Sequence, residues 1–305
     1  MLPYAARRLV QMIPPLLGLT VILFVLLRVG GNPVAHLVRP EAGPEEIALV
    51  RSAYGFDRPL LEQYVRQVSR IAVGDFGTSI RFRTPALPLV LERMPATLQL
   101  AGSAVLVALL LAIPIGVLAA VYRNSWFDVL VTIATTVGRG MPNFWLGLML
   151  SLVFAVRLRW FPASGRTGLA SLVLPAVTIG LGMTTVLVRV LRASMIEALG
   201  HDHVRTAHAK GLRRWTVIAK HGLRNALVSV TTVLGLQTTW VIGGSIVVEE
   251  VFAWPGSGRL MLVAVMARDL SVVMAGVFVF ALFVMTINLL VDLTYSLLDP
   301  RVQYS

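Results

Sequence analysis

Apolar residues in this chain run in long blocks rather than at the spacing of a half-buried helix or strand. A helix needs about 20 mostly apolar residues to cross the hydrocarbon core of a bilayer. Six blocks meet that length, at 9–27, 96–121, 129–156, 172–188, 226–248 and 272–291, the fourth being the shortest. Pro14, Pro15 and Pro114 fall inside blocks. A bilayer helix tolerates proline where neighbouring helices re-satisfy the freed carbonyls, so kinks are expected there. The pattern predicts an all-α integral membrane protein of six transmembrane helices, with a long segment, 28–95, between the first two. Arg7 and Arg8 could head a signal peptide. The apolar run behind them is too long and no Ala-x-Ala site follows cleanly, so the first block reads as an anchor.

Composition agrees. Hydrophobic residues make up 56% of the 305 and charged residues 14%, against roughly 25% charged in soluble domains. A water-soluble globule so composed could not cover itself with polar surface, and a disordered chain is excluded by the same balance. There is no cysteine, which excludes disulfides, thiolate metal sites and iron–sulfur ligation. The formal net charge is +12, but the bases are scattered over loops on both sides. The expected partner is therefore the lipid bilayer and not nucleic acid.

Six spans put both termini on one side. With the termini inside, the inner segments hold 12 Lys and Arg and the two short outer loops hold 5. Segment 28–95 carries 9 more against 7 acids, but loops of that length count for little. The bias predicts cytoplasmic termini.

Two loops are large. In 28–95, residues 44–73 read as an amphipathic helix, and Gly74–Gly77 reads as a turn. The segment is either a cap on the outer helix ends or a docking surface. The inner segment 189–225 holds both lysines, Lys210 and Lys220, and four of the five histidines. His203–Lys210 can form a short helix stopped by Gly211. Small Thr206, Ala207 and Ala209 alternate there with Arg205, His208 and Lys210, as a helix seated in a partner's groove requires. A basic loop lying on headgroups would read the same way.

The chain carries no recognisable chemistry. Neither lysine sits in a glycine-rich phosphate cradle, and no nucleophile elbow, zincin helix or kinase set occurs. The spacing of His201, His203, His208 and His221, with Asp202, matches no structural zinc pattern. The protein is then a channel, a secondary transporter, or the conduit of a machine powered elsewhere. Polar groups inside the spans mark candidate pathway residues. Arg139 and Asn143 flank Gly140-Met141-Pro142 in the third block, and Gln237, Thr238 and Thr239 form a patch in the fifth. Arg139 either faces a cavity or snorkels to the interface. The fifth-block patch is either a helix contact or a lining. Asn288 and Asp292 share a face in the last block, where interfacial capping is expected. No file of acids crosses the spans, and neither internal repeats nor a midplane ion site is visible, which weighs against a self-powered secondary transporter or channel.

The run from His203 to Leu212, H-V-R-T-A-H-A-K-G-L, resembles the cytoplasmic E-A-A-x-x-x-G loop of permease subunits in binding-protein-dependent ABC importers. Arg205-Thr206-Ala207 fall on E-A-A, with Arg in place of Glu, and Gly211 falls on the glycine. Further segments resemble the dipeptide/oligopeptide/nickel branch: Lys220–Leu227, Gly243–Gly258 (GGSIVVEEVFAWPGSG), Ala267–Asp269, Asn288–Arg301, Gly74–Gly77 and Pro95–Leu98. The likeness covers nearly the whole chain, although that branch usually has an uncharged residue at position 139. It implies a single permease domain over 1–305, made of an extracytoplasmic subdomain (28–95) and a core (96–291) with a coupling loop (189–225). It implies bacterial inner-membrane localisation. It implies four partners: a homologous second permease, two cytoplasmic ATPases and an external solute-binding protein. His203, Val204, Arg205, Thr206, Ala207, His208, Ala209, Lys210 and Gly211 would then dock on an ATPase, and the resemblance favours docking for the outer segment too. ATP and Mg would be bound by the ATPases, with no cofactor or metal in this chain. Di- and oligopeptides are the expected cargo, with glutathione or nickel and metal chelates as alternatives.

Purified alone, the chain should neither bind nor hydrolyse ATP. Phosphate release no faster than the detergent blank is the expected readout, and measurable turnover free of ATPase partners would overturn this assignment.

Overall fold

The computed structural model describes residues 2–29, 43–53 and 57–298. Among the described residues twelve α-helices follow one another: α1 (Leu2–Val29), α2 (Pro44–Ala53), α3 (Leu60–Ala72), α4 (Ala86–Val121), α5 (Trp126–Gly140), α6 (Asn143–Leu150), α7 (Leu169–Gly200), α8 (Asp202–Ala209), α9 (Arg214–Val217), α10 (Arg224–Val251), α11 (Ser257–Met266) and α12 (Leu270–Leu298). Short π-helical turns extend α6 through Ser151–Arg157 and join α9 to α10 through Ile218–Leu223. Among the described residues there is no strand, only an isolated bridge between Thr78 and Pro85.

Four helical stretches are long and apolar enough to cross a membrane unbroken: Arg7–Leu26, Ala86–Val121, Leu169–Gly200 and Leu270–Val291. Two bent pairs supply the remaining spans. Trp126–Gly140 meets Asn143–Arg157 at 106°, and Arg214–Val241 meets Gly243–Val251 at 53°. The described residues thus hold four unbroken spans, and six, the number the blocks predict, when each bent pair counts as one. Pro14, Pro15 and Pro114 lie within helices, joined by Pro95 and Pro175.

Two helical expectations need correction. The third block, expected as one span with Arg139 in its interior, is broken behind Arg139. Met141 is extended (φ −82°, ψ 123°) and Pro142 caps α6. The residue before a proline is driven out of the helical region and proline offers no N–H, so Met141-Pro142 ends α5. The single helix expected over 44–73 is two helices, and Pro59 caps the second in the same way. Residues 54–56 lie outside the described residues.

The chain divides into two compact units. The first comprises residues 1–92 and 263–283. In it Tyr64 of α3 meets α1, its hydroxyl 2.9 Å from Thr20 Oγ1 and its ring edge-on to Phe24. The turn at 74–77 uses left-handed Gly74 (φ +82°) and Gly77 (φ +89°). A Cβ on Gly77 would also lie 3.0 Å from Ser271 Oγ. Arg70 donates to Asp75 at 2.8 Å and holds that carboxyl below the usual carboxylate range. The contribution is present above the ordinary carboxylate pKa and is lost as pH falls through the lowered one. It is small, because both side chains are half exposed. Asp269 is buried; it caps α12 by accepting from Val272 N–H and also receives the Ser79 hydroxyl at 2.5 Å.

The second unit comprises 93–262 and 284–305. Its core is built from α4, α7 and α10, with Leu100, Ala104, Ala108, Leu187, Leu191 and Val230 buried. Small residues set the helix spacing. A Cβ on Gly180 would stand 2.9 Å from the Ala104 carbonyl oxygen, so α4 and α7 touch backbone to backbone there. The turn from α10 to α11 is fixed by polar contacts. Fully buried Glu249 accepts from the Thr97 hydroxyl (2.7 Å) and from Arg259 N–H (2.8 Å), which caps α11. Thr97 in turn accepts from Ser257 N–H at 2.8 Å, and the buried Trp254 indole donates to the Ala96 carbonyl at 2.9 Å. Any side chain at Gly256 would collide with the Glu249 carboxylate.

Truncating Glu249 leaves several buried donors unpaired, at about 1–3 kcal/mol each. Glu249→Ala should therefore lower the unfolding temperature of the detergent-solubilised protein by several degrees, and Glu249→Gln by clearly less. Equal melting of both variants with the parent would contradict the assignment.

Candidate functional site

The inner loop folds as its residues predict. In α8, Val204 and Ala207 are buried against Val217 and Leu199. Arg205, Thr206, Ala209, Lys210 and Gly211 remain exposed, while the side chains of His203 and His208 lie outside the described residues. Asp202 begins the helix and Arg205 returns to it at 3.5 Å. At the far end Leu212 N–H donates to the Ala207 carbonyl at 3.3 Å, across a left-handed Gly211 (φ +75°). That is a Schellman stop, in which glycine avoids the Cβ penalty. The outcome is a short helix anchored by two small apolar residues, with a polar, basic face left open.

The pathway candidates occupy two places. Arg139 sits in the last turn of α5, exposed. Asn143 opens α6 beside the break. Its amide oxygen is 3.1 Å from where a Cβ on Gly182 would be, and its nitrogen 3.8 Å from the same point on Gly244. Asn143 thus fills the space that two glycines leave between α7 and α10. Gln237, Thr238 and Thr239 are half-buried on α10, and Gln237 is about two turns before Gly244. Thr238 donates back to the Leu234 carbonyl at 2.8 Å, and Thr239 lies 3.3 Å from Asn288 Oδ1 of α12. The two threonines are therefore hydrogen-bonded within and between helices. Asn288, expected as an interfacial cap, pairs with α10 instead. The Asp292 side chain lies outside the described residues.

The seam between α5 and α7 is a third place, and sequence reasoning missed it. Arg192 grips buried Asp128 with two nitrogens, at 2.5 and 2.7 Å. Asp128 also accepts from Asn124 N–H at 3.0 Å. Ser125 caps α5 by accepting from Asp128 N–H. The signal was present: Ser125-x-x-Asp128 ahead of an apolar run has the form of a capping box. Further along, Arg189 donates to the Thr136 hydroxyl at 3.4 Å, and a Cβ on Gly138 would meet Thr185. The antiparallel pair is thus joined by polar contacts at Asp128–Arg192 and Thr136–Arg189. Glu249 was also missed, although it stands in the quoted GGSIVVEEVF run. Among the described residues no group of three or more His, Asp or Glu could hold a metal.

Bent helix pairs, polar seams inside an apolar bundle and an open basic helix are features of a multi-pass membrane protein. The chain belongs to the family described as the binding-protein-dependent transport system inner membrane component, whose model matches residues 112–304. It is a permease subunit of a binding-protein-dependent ABC importer. Among its relatives is the glutathione transport system permease protein GsiC of Salmonella paratyphi A, 41% identical over 306 residues and covering all of both chains. Another is the dipeptide transport system permease protein DppB of Alkalihalophilus pseudofirmus, 38% identical over 333 residues with the same full coverage. A chain from the inward-facing MetNI methionine ABC transporter shares the fold. Its TM-score is 0.59 at 16% identity, covering 69% of this chain and 96% of that one.

The Asp128–Arg192 pair yields a double-mutant cycle. Asp128→Ala and Arg192→Ala should each destabilise by about 3 kcal/mol, and the double variant by clearly less than their sum, because breaking one half strands the other. Additive losses in thermal or denaturant unfolding would show that the two groups do not act as a pair.

Proposed function

We propose that this chain forms half of the conduit of an importer for short peptides, glutathione included, and that α8 with Gly211 is its mechanical link to an ATPase. The observation that carries the cargo reading is full-length likeness, at 41% and 38% identity, to permeases named for glutathione and for dipeptides. Support for the link is the shape of α8. Two buried residues tie it to the end of α7 and to α9, while Arg205, Thr206 and Lys210 are exposed where a partner could reach them. A push on α8 would reach α7, which the Asp128–Arg192 pair joins to α5. In this reading the termini are cytoplasmic. The chain works with a homologous permease, two ATPases that bind ATP and Mg, and an external solute-binding protein. Arg139, Asn143, Gln237, Thr238 and Thr239 line the route. A conduit must hold cargo weakly, and the Thr238 and Thr239 hydroxyls, already paired to their own helix, suit passing contacts.

Gly211→Val tests the link. A β-branched residue in the left-handed region costs roughly 1–2 kcal/mol, enough to displace the end of α8. In vesicles holding the assembled importer, uptake of a labelled dipeptide should require ATP and fall about tenfold in the variant, while chain insertion is unchanged. Unchanged uptake, with unchanged ATPase association, would overturn the coupling role.

A further inference from the structure

The α5–α7 pair carries two arginines on one exposed polar stripe, and among the described residues neither is in an ion pair. On α5, Thr132, Thr136 and Arg139 recur at i, i+4 and i+7, and all three are exposed. They therefore share one stripe. Leu130, Ile133 and Val137 make a second exposed stripe, entirely apolar, roughly a third of a turn away. Asp128, Val131 and Thr135 are buried on the remaining face. The helix thus has a packed face, an apolar face suited to lipid, and a polar face between them. On α7, exposed Arg189 reaches the Thr136 hydroxyl, which places it one turn from Arg139 along the stripe. Arg192, the next base on α7, is engaged by Asp128. Among the described residues neither Arg139 nor Arg189 forms an ion pair. The acid on the adjoining turns of this seam, Asp128, is already committed to Arg192.

An uncompensated guanidinium turned toward hydrocarbon is costly, so such groups face water or a mobile counter-charge. The polar stripe therefore borders the aqueous route, and its sign is positive. A cleft lined by one sign of charge between low-dielectric walls concentrates solutes of the opposite sign. We propose that Arg139 and Arg189 together make this permease select cargo with net negative charge: short peptides that carry more carboxylates than amines. The selection rests on the peptide-conduit reading above, to which it adds a second residue and a charge rule.

The absence of native cysteine supplies a probe. A single Thr136→Cys is placed in the assembled importer in lipid vesicles. Its reaction with negatively and positively charged methanethiosulfonates of similar size is then followed on this chain. The negative reagent should react about tenfold faster, and Arg139→Gln with Arg189→Gln should bring the ratio close to one. A ratio near one in the parent, a ratio the double substitution leaves unchanged, or a cysteine inert to both reagents in every nucleotide state would each overturn the proposal. The last of these would mean that the stripe faces lipid or protein. Uptake forms the second arm. The double variant should lose about tenfold of glutathione import relative to an uncharged blocked tripeptide, and equal loss of both would overturn charge selection. If the parent importer takes up no peptide at all, the peptide reading falls, and the reagent ratio alone then decides the charge claim.

Discussion

Hydrocarbon offers no hydrogen bonds, so every polar group carried into the bundle must find its partner in the protein or in water. Each unsatisfied group costs several kcal/mol, and this constraint arranges the rest of the structure. It explains why the broken spans occur where other helices approach closely. Asn143, at the break between α5 and α6, fits against glycines of α7 and α10. It explains why Asp128 and Arg192 meet with two nitrogens, and why Glu249 is surrounded by a hydroxyl and backbone amides. The threonines of α10 return their hydroxyls to their own helix for the same reason.

These contacts are also what would transmit motion. From α8 the path runs into α7 through the apolar contact of Val204 and Ala207 with Leu199, and from α7 into α5 through the Asp128–Arg192 pair. From the far end of α5 it reaches the break, with Arg139 on one side and Asn143 on the other. An ion pair and a close-packed seam are stiff, whereas the break at Met141-Pro142 has no helical ladder to resist bending. The proposed coupling helix and the proposed lining are thus connected by rigid elements that end at a joint.

Much of this was legible in the chain. Long apolar blocks give the six spans, because span length is fixed by the bilayer and not by packing. The helix over α8 and its stop at Gly211 follow from local backbone preferences. Boundaries were less legible. A proline-driven break, inside an apolar block at Met141-Pro142 and inside the amphipathic stretch at Pro59, is invisible to a count of hydrophobicity. The long-range pairs were not legible at all. Nothing local tells Asp128 that its partner is Arg192, or Glu249 that it will cap a helix beginning eight residues later. Those contacts exist only once α5 has packed on α7 and α4 on the end of α10. Arg139 was singled out as a charge in an apolar block, but its neighbour Arg189 read as the start of a basic loop. Only the α5–α7 register places the two on one stripe.

In the proposed conduit, which opens in turn to each side of the membrane, the junction around Asn143 is exposed to one side at a time. A single Asn143→Cys in the assembled importer, reconstituted in sealed vesicles of known orientation, tests this directly. Membrane-impermeant thiol reagents would be added to one side at a time, without nucleotide and then with ATP trapped by vanadate. The side from which the cysteine is modified should change with nucleotide. A cysteine modified from the same side in both states, or from neither side in either, would contradict it.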